Sequence, residues 1–171
     1  FHKVQINSLN KKGHKVDILI NSKDILEDLV KEEGWNYFNI FPNGRKIKGL
    51  HVYLSAFLTI IKSNYRILKF IKHKKYDLFI GDFLTWVGLI KRVKTLYPTD
   101  DVLNQVPEQI IFLSAATHPI APKITDLKIY NKKTIHYKGY KALAHLHPNH
   151  FKPNKNKLLK HLQDGTDYFL I

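Results

Sequence analysis

The chain contains no cysteine, which excludes disulfides and thiolate metal centres together. No apolar run reaches the roughly 18 residues that a membrane-crossing helix needs. The opening residues read as a helix rather than as a signal peptide, and the expected location is cytoplasmic. There is no Walker A motif, no GxGxxG fingerprint and no HExxH pair, so ATP hydrolysis, NAD binding and zinc proteolysis find no support. Internal repeats and low-complexity tracts are also missing.

Arginine is scarce. Of 28 cations only Arg45, Arg66 and Arg92 are arginines. Base readout and bidentate phosphate contacts favour arginine, whereas the lysines here are scattered through every segment. The net charge of +14 therefore reads as a lysine-rich surface, and no nucleic-acid partner is expected. What the charge retains is attraction toward phosphates or an anionic membrane surface.

What is present suits a folded α/β domain. A length of 171 residues fits one domain with part of a second, and 44% hydrophobic content can fill its core. The opening reads as a helix stopped at Gly13, followed by the continuous apolar run Val16 to Ile20, a strand buried on both faces. A helix from Lys23 to Glu33 follows, ending at Gly34, and then a strand in WNYFNI. This βα alternation predicts a Rossmann-like parallel sheet flanked by helices, with right-handed crossovers.

A basic loop, PNGRKIKG, feeds a long apolar helix over residues 50–72. Cations flank it, among them Lys62, Arg66, Lys69 and Lys72. The helix reads either as a core element with a solvated basic face or as a patch that makes peripheral contact with the inner face of a membrane.

The next unit places candidate chemistry. The strand Tyr76 to Ile80 ends in Gly81 and Asp82, and a helix with Thr85 and Trp86 in its first turns follows. Ligands of open α/β sheets gather where strands end and helices begin. Gly81 lets the backbone approach a ligand, and Asp82 is either a site carboxylate or an N-cap. Trp86 is either core or a sugar-stacking platform. The strand Lys94 to Tyr97 repeats the arrangement, ending in Pro98, Thr99, Asp100 and Asp101. The two adjacent carboxylates are site candidates, with Asn104 following within one turn. Alternatively they cap a helix over 102–114. His118, in a strand over 117–122, reads as structural. Residues 124–133 read as a polar connector.

Near the end of the chain stands IHYKGYKALAHLHPNHFKPN, from Ile135 to Asn154. It opens as a short strand, Gly139 then frees the backbone, and Pro148 and Pro153 block any continuous helix. His145, His147 and His150 fall within six residues. They read as backbone-bonded imidazoles at a domain junction, since the stretch carries no carboxylate to orient a zinc ligand. The run YKGYKALAHLHPNHFKP resembles the DUF354 family, whose members are similar to UDP-N-acetylglucosamine 2-epimerases and GT-B glycosyltransferases. Tyr137, Gly139, Tyr140, Lys141, Leu143, Ala144, Leu146, His147, Pro148, Phe151 and Pro153 match the family's wording, while Ala142 and His145 depart from it.

The resemblance implies the N-terminal half of a GT-B-like two-domain fold. Residues 1–133 would be the acceptor-side domain, 134–154 an interdomain hinge, and 155–171 the start of a nucleotide-binding domain. It also implies a strand and a short loop ahead of the first helix. The implied function is a glycosyltransferase or nucleotide-sugar epimerase in cell-envelope or polysaccharide biosynthesis. Its partners would be a nucleotide-sugar donor, with UDP as carrier, and a glycan or lipid-linked acceptor. The nucleotide sugar is a substrate, and no cofactor is expected. A non-catalytic sugar-binding protein is the alternative. Asp82, Asp100 and Asp101 are the expected catalytic carboxylates. Gly81, Thr85, Thr99, Asn104, Tyr137, Gly139 and Tyr140 are the expected substrate contacts.

Overall fold

In the computed structural model the described residues are 2–21, 25–42 and 52–140. Helices and strands alternate: α1 (His2–Lys11), β1 (Ile18–Asn21), α2 (Leu26–Glu32), β2 (Tyr37–Phe41), α3 (Val52–Phe70), β3 (Leu78–Ile80), α4 (Leu84–Lys91), β4 (Lys94–Pro98), α5 (Ile110–Ala115), β5 (His118–Pro122) and β6 (Ile135–Tyr137). All ladders are parallel. β1 pairs with β2, and a four-stranded sheet runs β3-β4-β5-β6. This is the Rossmann-like α/β arrangement that the alternation predicts.

Both sheet faces are covered, and β2 shows how. Side chains alternate along a strand. Phe38 stacks on Phe70 of α3 with ring centroids 4.4 Å apart, and Arg66 of α3 donates to the Ile40 carbonyl. On the opposite face Tyr37 and Asn39 donate to Glu27 of α2, at 2.8 and 3.1 Å. Lys3 of α1 pairs with Glu33 at the end of α2. On the other face α3 packs on α4, and α4 on α5. Parallel strands joined by right-handed crossovers on opposite faces wind in opposite directions. The entrances of β1 and β3 are tied together, because Tyr76 and Lys74 both donate to the Asp17 carboxylate, at 2.5 and 2.7 Å.

The larger core joins these units. Ile40 and Phe41 from β2, Ile67 and Ile71 around the end of α3, Phe79 from β3, and Phe83 and Val87 around α4 form one buried cluster. Each such side chain contributes about 1.5–3 kcal/mol of burial. A second cluster, Tyr97, Leu113, Ala116, Ala121 and Leu127, lies under β4 and β5. Gly88 lets α4 lie against the sheet. A Cβ there would stand 2.0 Å from Thr95 Cγ2 and 2.9 Å from the Val93 carbonyl.

Two expectations change. The helix expected over 102–114 is a turn, a short 3-10 helix at Pro107–Gln109, and then α5. Pro107 has no N–H to donate and sits where the 3-10 helix begins, so the turn closed by the Val106 N–H on the Val102 carbonyl, at 3.2 Å, is not continued into a helix. The polar connector 124–133 contains a second 3-10 helix, Lys128–Lys133. Its entry is held by Asp126, which accepts from the Lys128 and Asn131 nitrogens at 2.8 Å. The strand expected over 134–137 forms as β6, Ile135–Tyr137, and pairs with β5. The rest of the expected hinge beyond Tyr140, with its three histidines, and the segment 155–171 lie outside the described residues, as do residues 43–49 of the basic loop.

Candidate functional site

A cleft of about 260 Å³ opens at the carboxyl ends of β3 and β4. It is lined by His2, Gly81, Asp82, Tyr97, Pro98, Thr99, Asp100 and Asp101. Its floor follows from the parallel sheet. Strands that all point the same way deliver their following loops to one edge, and the three carboxylates come from two such loops. Gly81, with φ at +131°, makes the turn out of β3 in a region closed to most side chains. Its N–H donates to the Leu96 carbonyl of β4 at 3.0 Å, which fixes the β3 loop against the β4 loop.

Asp82 stands just ahead of α4. Its Oδ1 accepts from the Phe83 N–H at 2.8 Å, and its carbonyl accepts from the Thr85 hydroxyl at 2.8 Å and the Thr85 N–H at 3.0 Å. Asp82 is thus exposed, lines the cleft and also organises the first turn of α4. Thr85 is fully buried beneath it and is a support of the turn rather than part of the wall.

The β4 loop is held from below. Thr99 is buried, and its hydroxyl donates to the Gln109 side-chain oxygen at 3.0 Å. Gln109, also buried, donates in turn to the Asp101 carbonyl at 3.1 Å. The Asp101 N–H reaches Thr99 Oγ1 at 3.3 Å, and Thr125 donates to the Asp100 carbonyl at 3.3 Å. The bonds to Asp100 and Asp101 named here use their backbone groups, and both residues are exposed and line the cleft. The two aspartates do not cap a helix at 102, because none begins there.

The electrostatics of the cleft can be read from Tyr97. Burial, then the Asp82 carboxylate and then that of Asp101 push its phenol up to about 12, against the opposing hydrogen bond with Thr99. Tyr137, at the end of β6, is raised by burial and by Asp100. The β6 end therefore lies within the field of the cleft, although Tyr137 is not among its walls. Gly139 follows at φ +102°, and Tyr140 is exposed. Asn104 is exposed and is likewise not in the lining.

Sequence reasoning missed His2, Tyr97 and Gln109. Nothing marks His2 locally, because it reaches the cleft only through the placement of α1. Tyr97 carried a signal, being the last side chain before Pro98 and Thr99. Trp86 is neither free platform nor deep core, since its indole donates to the Ile111 carbonyl at 3.1 Å between α4 and α5. The His118 ring faces the Lys133 carbonyl at 3.4 Å. Among the described residues no group of three or more histidines and carboxylates is placed to hold a metal ion, and no helix is long and apolar enough to cross a membrane. The cleft offers hydrogen-bond acceptors and an exposed base. The chain matches no protein-family profile, no curated protein and no solved structure.

Proposed function

We propose that the cleft binds the hydroxyl-bearing acceptor of a GT-B-like glycosyltransferase, or the sugar of the substrate of a nucleotide-sugar epimerase, of the DUF354 type. One observation carries the reading: Asp82, Asp100 and Asp101 converge on one cleft at the carboxyl edge of a parallel sheet. Carboxylates accept hydrogen bonds from vicinal hydroxyls and can take a proton from one of them. A cleavable diphosphate would be repelled by the same three groups. The acceptor, not the donor phosphates, is therefore the natural occupant. The resemblance of the 137–153 run points the same way, since GT-B enzymes hold the nucleotide mainly in their C-terminal half.

In the transfer reading, one carboxylate removes the acceptor's hydroxyl proton as its oxygen bonds to the sugar's anomeric carbon. The bond from that carbon to the diphosphate breaks, and UDP leaves with the electron pair. In the epimerase reading the same carboxylates move protons around UDP elimination and return. Gly81 and Thr99 shape the wall, and the nucleotide sugar is consumed as substrate.

The test is a thermal-shift and calorimetric panel of UDP, UDP-N-acetylglucosamine, other nucleotide sugars, simple glycans and an unrelated polyanion. It is run on this chain and on its Asp82→Asn, Asp100→Asn, Asp101→Asn triple variant. A glycan or sugar nucleotide that stabilises the parent and not the variant supports the reading. Ligand at one hundred times its dissociation constant adds roughly 2.7 kcal/mol. Equal response of parent and variant, or response to the polyanion alone, overturns it.

A further inference from the structure

We propose that the outer face of α3 is a docking surface for an anionic lipid membrane. The inference stands apart from the glycosyl-transfer reading and survives its failure. Leu54, Phe57, Ile61 and Tyr65 are 47, 60, 50 and 67% exposed. Their spacing of three, four and four residues places them in one stripe along α3, roughly 16 Å long. The inward side of the same helix carries Thr59, Ser63 and Ile67, all buried. The stripe is therefore the side of α3 turned away from the sheet. On α4, which packs beside α3, Leu89 and Ile90 are each 58% exposed.

Charge decides the occupant. From Gly34 to Tyr76 the chain has nine lysines and arginines and no acidic residue. Lys62 and Lys69 are exposed and project beside the stripe, and α4 ends in exposed Lys91 followed by Arg92. A second copy of the chain laid on this face would bring like charges together. A lipid surface accepts both features. Leucine, isoleucine and phenylalanine side chains enter the boundary between headgroups and acyl chains, and tyrosine sits at its polar edge. Lysine stems run along the apolar surface and place their ammonium groups among lipid phosphates. No membrane-crossing element is required.

The experiment is co-sedimentation of the chain with vesicles of phosphatidylcholine alone and of phosphatidylcholine with phosphatidylglycerol, at low and high salt. Binding is expected to the anionic vesicles and to weaken with salt. Phe57→Asp with Ile61→Asp should lower partitioning at least tenfold. Lys62→Gln and Lys69→Gln should each lower it roughly fivefold. Lys11→Gln with Lys12→Gln, at the end of α1, should leave it unchanged. All these positions are exposed, and circular dichroism verifies that each variant is folded. Three results overturn the proposal: no binding to anionic vesicles, equal losses from the α1 and α3 lysine variants, or self-association in solution that the Phe57→Asp and Ile61→Asp pair abolishes.

Discussion

The buried side chain of Gln109 accepts the Thr99 hydroxyl and donates to the Asp101 carbonyl, so one amide holds two consecutive corners of the cleft loop. Replacing Gln109 by leucine would leave the Thr99 hydroxyl and the Asp101 carbonyl without their partner. The expected loss is about 1–3 kcal/mol of stability. Thr99→Val and Gln109→Leu combined should cost less than the sum of the two, because they remove the same bond. Urea denaturation of the two single variants and the double variant measures this coupling. Strict additivity would mean that the bond contributes nothing.

Tyr97 reports on the carboxylates that face it. Its phenol is raised to about 12 by burial, Asp82 and Asp101. Removing either charge, by Asp82→Asn or Asp101→Asn, should lower that value, with Asp82 the larger effect. Ultraviolet titration of the parent against Tyr97→Phe isolates this tyrosine. The sign for stability follows, because a folded value above the unfolded one favours the protonated phenol in the native state. That contribution is complete below about pH 10 and disappears as pH rises through about 12.

Asp126 has the opposite sign. The Lys128 ammonium, the Lys128 backbone N–H and the Asn131 amide together pull its carboxyl down to about 2. Its folded value lies below the unfolded one, so the stabilisation is present above about pH 4 and is lost as pH falls through about 2. Proton NMR of the Lys128 and Asn131 amides across this range should show the 3-10 turn loosening at the acid end. Asp126→Asn should remove the transition.

Gly88→Ala tests the approach of α4 to the sheet. Its new methyl would meet Thr95 Cγ2 at 2.0 Å and the Val93 carbonyl at 2.9 Å. Both neighbours belong to a packed interior, and overpacking of this kind costs about 1–3 kcal/mol. A fall in thermal midpoint is expected. Gly88→Ala with Thr95→Ser, which removes the clashing methyl, should recover part of it.

The sheet was legible because its signals are local. Val16 to Ile20, Tyr76 to Ile80 and Lys94 to Tyr97 each alternate with a helix, and that order alone implies parallel strands. Asp82, Thr99, Asp100 and Asp101 could be placed at the carboxyl edge for the same reason. Two things were not legible. Where α5 begins depends on Pro107 competing with the capping tendency of Asp100 and Asp101, and single-sequence patterns do not weigh that contest. The reach of His2 into the cleft and the clamp by Gln109 depend on how α1 and the 3-10 helix lie in three dimensions. Thr85 looked like a site residue because it follows Asp82, but the turn that makes Asp82 available buries Thr85.

The division of the strands into two ladders has a consequence for how the molecule opens. Among the described residues no backbone ladder crosses between β1 and β3. The two units are joined instead by the side chains of the α3 core and by the exposed Asp17–Tyr76–Lys74 contact, which is worth about 0–1 kcal/mol. Contacts between side chains loosen without breaking a strand pair. The amides of β1 and β2 should therefore exchange with solvent as one cooperative group, ahead of those in β4 and β5, where each strand is paired on both sides.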